Sequence, residues 1–146
     1  MKFNFATIHV ADLEASIRFY EEVIGLKVAR RFPAGPNMEI AFMAEAGMEE
    51  GGAAEIELIC DKGAEPPVYG EWPSLGLAVS DLDQAMDQVK KQGVEIVAGP
   101  IQPNPSTRFF FIHDPGRRES GNHRAEIRKE PTDENYIDRG RHQRTN

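Results

Sequence analysis

Polar and apolar residues alternate from Phe3 to Val10, and the alternation gives way at Asp12 to a spacing of three and four. In an extended segment Phe3, Phe5, Thr7 and His9 fall on one side, and Asn4, Ala6, Ile8 and Val10 on the other. Asp12 is placed to accept backbone N–H bonds at a helix start, and Glu14 adds negative charge to the first turn. Leu13, Ile17, Tyr20 and Ile24 then form one helical face, and Gly25 suits the left-handed residue that ends it. The pattern predicts a strand followed by a helix over 13–24.

The same grammar recurs later in the chain. Ser74, Gly76 and Ala78 share one strand face, Leu75, Leu77 and Val79 the other; Asp81 caps, Leu82, Met86 and Val89 make the helical stripe, and Gly93 closes it. Strand, cap, stripe and stop repeating together at nearly one offset point to an internal duplication, with the second helix over 82–92. Strand-like segments follow each helix: Lys27–Phe32, Met38–Ala44 and Ala54–Cys60, then Glu95–Ala98, Arg108–His113 and Arg124–Lys129. "PAGPN", "AGMEEGG", "GPIQPNPS" and "DPGRRESG" read as loops, and residues 61–73 as a linker. Each half therefore reads βαβββ. The expected class is α+β: one domain over 1–130, with modules of about 1–62 and 70–130, followed by a polar tail over 131–146. One helix covers one face of each sheet, so the uncovered faces are expected to curve around a cleft.

Several of these stretches resemble the vicinal oxygen chelate superfamily, which includes glyoxalase I, bleomycin-resistance proteins, fosfomycin-resistance enzymes and extradiol dioxygenases. The stretches are "VADLEASIRFYEEVIGLKV", "AEIELI", "LGLAVSDLDQAMDQVKKQGVEI" and "FFIHDP" with "AEI". The resemblance implies paired βαβββ modules around a cleft, commonly as a homodimer. In metal-using members, four inward residues hold a divalent ion: one on the first and one on the last strand of each module. Those positions fall on Phe5, Glu57, Ser74 and Glu126 here. Both carboxylates are present, and neither usual imidazole is. Phe5 has no donor atom and neutral Ser74 is a poor ligand. No resident metal is therefore expected, the alternative being weakly held Mg, Mn, Ni or Zn. Family members also place the final Glu closer to the Asp-Pro pair; the extra residues here, Gly116 to Arg124, are expected to lengthen the last hairpin.

Each candidate residue has a plainer alternative. His9 shares the face of Phe5, about 13 Å further along at 3.3 Å per residue; it meets a ligand at the cleft rim, makes an ordinary hydrogen bond or sits at a dimer edge, or, least expected, ligates a metal. Glu57 and Glu126 orient a ligand, are neutralised internally, Glu126 by Arg124 and Arg128 on its own strand face, or serve catalysis or metal binding. Ser74, Gly76 and Ala78 leave room for a ligand or let strands pack closely. Phe3, Phe5, Phe42 and Trp72 would wall the site. The ligand-binding set is thus Phe5, His9, Glu57, Trp72, Ser74, Arg124 and Glu126.

Composition narrows the classes of function. The formal charge is −7, which disfavours nucleic acid and anionic membranes as partners. Cys60 is the only cysteine, so no intrachain disulfide forms, and without a signal-like or membrane-spanning run a cytoplasmic setting is expected. The leading expectation is a protein that binds a small organic molecule without a metal. The alternatives are a metal-dependent lyase, isomerase or transferase of the glyoxalase type, and a structural or regulatory module.

Overall fold

Eight strands form two sheets of identical topology in a computed structural model, which describes residues 3–65, 67, 74–115 and 124–129. The first sheet contains β1 (Phe5–His9), β2 (Lys27–Pro33), β3 (Met38–Ala44) and β4 (Glu55–Asp61), in the order β1-β4-β3-β2. The second contains β5 (Ser74–Val79), β6 (Ile96–Asn104), β7 (Thr107–His113) and β8 (Arg124–Lys129), in the order β5-β8-β7-β6. Between the first two strands of the chain lie α1 (Leu13–Arg18) and a π-helical segment (Phe19–Ile24); α2 (Leu82–Lys91) follows β5. The class is α+β with two tandem βαβββ modules, as the repeat implies. The chain divides into two compact units that follow the modules except that His113, Asp114 and Arg124 group with the first, and each is described by itself.

In the first unit, β1 runs parallel to β4, with Ala6 opposite Ile56 and Ile8 opposite Leu58. These residues face the helical layer with Val10, Leu13, Ile17, Met43 and Cys60, and all of this group except Ala6 and Ile56 are buried. Asp12 caps α1 by accepting the Ala15 N–H at 3.0 Å. The expected single helix changes character at Phe19. Phe19 and Tyr20 are adjacent, both buried, and packed edge to face at 5.2 Å; the wider π turn brings consecutive side chains nearer to one face. Gly25 ends the segment at φ 89°. Tyr20 donates its hydroxyl to Asp114 Oδ2 at 3.3 Å, and both residues are buried.

In the second unit, Asp81 caps α2 through the Gln84 N–H at 2.9 Å. Arg108 on β7 donates Nη1 and Nη2 to the Asp83 carboxylate at 3.0 and 2.9 Å, joining sheet to helix. Leu82, Val89, Phe110, Ile112, Ala125 and Ile127 make the core. The stretch "GPIQPNPS", expected as a loop, lies largely within β6 instead. That strand is at the sheet edge, where prolines without an N–H are tolerated, and register shifts interrupt its pairing. Gly99 sits there at φ 109°, and a Cβ added to it would lie 2.8 Å from Phe110 Cβ. The linker from Val68 to Pro73, the tail over 131–146 and most of the Gly116–Arg124 insertion lie outside the described residues.

Two outcomes follow from these contacts. Tyr20→Phe should lower stability by about 1 kcal/mol in urea unfolding, since it removes one hydroxyl and keeps the ring. For the Asp83–Arg108 pair, the guanidinium holds Asp83 below its ordinary value of 3.8. A depressed folded-state value stabilises the fold above the unfolded pKa and stops doing so as pH falls through the folded one. The stability gap between the parent and Asp83→Asn should therefore be open at neutral pH and close below about pH 3.8. A gap that widens on acidification would contradict the pairing.

Candidate functional site: the aromatic and charged face of the first sheet

The face of the first sheet opposite its helices is built by strand parity. Because Phe5 pairs with Glu55 and Thr7 with Glu57, and Phe42 pairs with Glu57 and with Arg30, all six residues project to one side. Phe5 meets Phe42 edge to face at 5.5 Å, and Phe32 stacks near Phe42 at 6.3 Å. Phe42 is buried under them, while Phe5 and Phe32 each remain 40% exposed. The result is an open aromatic surface with polar groups among the rings: Thr7, Glu57, Phe42 and Arg30 form one cross-strand row.

Two carboxylates on this face have different partners. Glu55 is 7% exposed and receives Arg30 Nη1 and Nη2 at 2.8 and 2.7 Å, a two-point pair. The Arg30 guanidinium also lies 3.7 Å from the centre of the Phe42 ring. Its pKa is raised, first by the hydrogen bonds to Glu55 and then by the charges of Glu55 and Glu57. Glu57, half-buried, accepts the Thr7 hydroxyl at 2.5 Å. On the opposite face Arg31 bridges Glu39 at 2.6 Å and also pairs with Glu14 of α1, so the two neighbouring arginines serve opposite sides of one strand.

His9 lies on the same face as Phe5 but at the far end of β1. It lines a surface cavity of about 440 Å³ with Ile59, Asp61, Lys62 and Glu65. A second cavity of about 500 Å³ adjoins Asp12, Arg31, Asn37 and Cys60. Neither cavity is lined by Phe5 or Glu57. In the second sheet, Ser74 is exposed at the start of β5, and Glu126 and Arg124 lie two residues apart on β8. Glu126 accepts Arg128 Nε at 2.8 Å, one of the two arginines expected to neutralise it. Arg128 also stands 5.2 Å from the Phe109 ring. Trp72 lies outside the described residues.

Of the expected set, the first sheet thus gathers Phe5 and Glu57 with Phe42, and keeps His9 at its other end. Sequence reasoning missed Thr7, Arg30, Phe32 and Glu55. One signal was available for Glu55: it shares the parity of Glu57, so an orientation that turns one to this face turns both. Arg30 was hidden by the register shift between Val28 and Arg30, which breaks simple alternation along β2.

The chain belongs to the Glyoxalase/Bleomycin resistance protein/Dioxygenase superfamily, whose family profile matches residues 2–118. A lactoylglutathione lyase from Haemophilus influenzae is 31% identical over 120 residues, covering 79% of this chain and 86% of that protein. Among solved structures, the trypanothione-dependent glyoxalase I of Leishmania major superposes with a TM-score of 0.73 at 20% identity, covering 96% of this chain and 92% of that one. TnmS3, an antibiotic-binding protein from Streptomyces sp. CB03234, gives 0.67 at 22% identity, with coverage of 90% and 97%.

At the positions where the family resemblance expects metal ligands, the donor chemistry departs from the usual set. Phe5 offers a hydrocarbon ring where an imidazole is usual, and Glu126 is paired with Arg128. Among the described residues, no three His, Cys, Asp or Glu side chains are grouped to hold a metal ion. Phe5→His would place an imidazole on the face of Glu57. It should bind Zn²⁺ at least about tenfold more tightly than the parent in competition with a chromogenic chelator. Equal affinities would mean that position 5 does not govern metal binding.

Proposed function

We propose that this protein binds a small organic molecule on the aromatic face of its first sheet and does so without a resident metal. The observation that carries the proposal is the edge-to-face packing of Phe5 on Phe42, at the position where the family resemblance expects an imidazole. An apolar ring there removes a ligand from the metal set and adds surface that a flat molecule can cover. Ser74, Arg124, Glu126 and Trp72, from the expected second module, remain proposed contributors, and His9 a proposed contact at the cavity rim. A cytoplasmic homodimer is part of the same proposal, since family resemblance and open sheet edges favour pairing.

A second reading has its own support. The 31% identity to a lactoylglutathione lyase and the two carboxylates at family positions favour a metal-dependent lyase with a rebuilt site. Metal content separates the two readings. Protein purified without chelator should hold far less than one equivalent of zinc, nickel, manganese or iron by elemental analysis. In thermal unfolding, an aromatic ligand present at 100 times its Kd should raise the midpoint by about 9 °C for a chain of this size. Phe5→Ala should remove most of that shift. A near-stoichiometric transition metal in the parent would overturn the binder reading in favour of the lyase.

A further inference from the structure

Resting on that reading, we infer that the aromatic face selects a flat aromatic cation and turns away anions, because Glu55 locks Arg30. Arg30 is the one cationic group of the cluster formed with Phe5, Thr7, Phe32, Phe42, Glu55 and Glu57. Read alone, an arginine beside aromatic rings would promise a carboxylate or phosphate site. Here Nη1 and Nη2 both point at Glu55, a carboxylate almost wholly withdrawn from water. An anion arriving at Arg30 must compete with a two-point pair that is already made. Displacing Glu55 would leave a buried charge unpaired, which is strongly unfavourable. One face of the guanidinium is also covered by Phe42 at 3.7 Å.

The remaining charge has the opposite sign. Arg30 and Glu55 cancel, leaving the carboxylate of Glu57. Thr7 supplies one hydrogen bond to it, and a carboxylate has capacity for several more. The exposed parts of Phe5 and Phe32 offer ring surface, and ring faces attract cations. The matching ligand is a planar ring system carrying a delocalised or attached positive charge and an N–H directed at Glu57. The glutathione thioester named in the lactoylglutathione lyase relative carries two carboxylates and one ammonium at neutral pH, so it is a net anion and a poor match.

Proflavine, a flat cation, and anthraquinone-2-sulfonate, a flat anion, test this by isothermal titration of the full chain. The parent should bind proflavine at least about tenfold more tightly than the sulfonate. Glu57→Gln should weaken proflavine by about tenfold and leave the sulfonate unchanged or improved. Glu55→Gln should release Arg30 and shift the preference toward the sulfonate by about tenfold or more. A parent that prefers the sulfonate overturns the inference, as does a folded Glu55→Gln protein with an unchanged preference. If Glu55→Gln does not fold, the parent's preference and Glu57→Gln decide the matter. Sulfonate-preferring binding that Phe5→Ala abolishes would defeat the cation inference alone. Failure of both probes to bind the parent would defeat the cation inference and count against an aromatic-binding face altogether.

Discussion

The parallel pairing of β1 with β4 is the constraint from which the rest of the first unit follows. It brings strands from opposite ends of the module side by side and fixes their phase, with Phe5 beside Glu55 and Thr7 beside Glu57. The side-chain period of a strand is two, so a slip of one residue would exchange the two faces. If β1 slipped, Ile8 would then meet water and Thr7 would be pushed toward the helices. The apolar face that packs under α1 thus holds the polar face in place. Stability and the candidate site depend on the same register.

Much of the fold was legible because it rests on local periodicity. The Asp12 and Asp81 caps, the stripes Leu13–Ile17–Tyr20 and Leu82–Val89, and the glycines after each helix all stand where spacing put them. Met38–Ala44 and Arg124–Lys129 have the expected strand bounds. Less legible were features in which distant contacts override a local signal. The π turn at Phe19 serves the burial of two adjacent aromatics, which a count of apolar spacings does not reveal. Prolines in "GPIQPNPS" read as breakers, yet an edge strand with interrupted pairing accommodates them.

The site was legible by halves. Strand parity sent Phe5 and Glu57 to one side, and the family resemblance marked both positions. What each does there depends on partners that no spacing announces. Arg30 reaches Glu55 across the intervening strand β3, and the register shift in β2 decides that Arg30 and Arg31 part company. Arg31 goes to Glu39 and Glu14 on the helical face. The partner of Glu126 is two residues away on its own strand, a pairing that sequence reasoning had named together with Arg124.

Cys60 gives this architecture an internal clock. It is the only sulfhydryl in the chain, lies on the helix-facing side of β4 at 4% exposure, and directs its Sγ toward the Ala11 carbonyl at 3.6 Å. An alkylating reagent must wait until that strand opens, so the rate of thiol modification counts openings of the first sheet. No cysteine in the second half contributes to the signal. Duplication gave two modules of the same topology, and a single sulfur atom makes one of them separately observable.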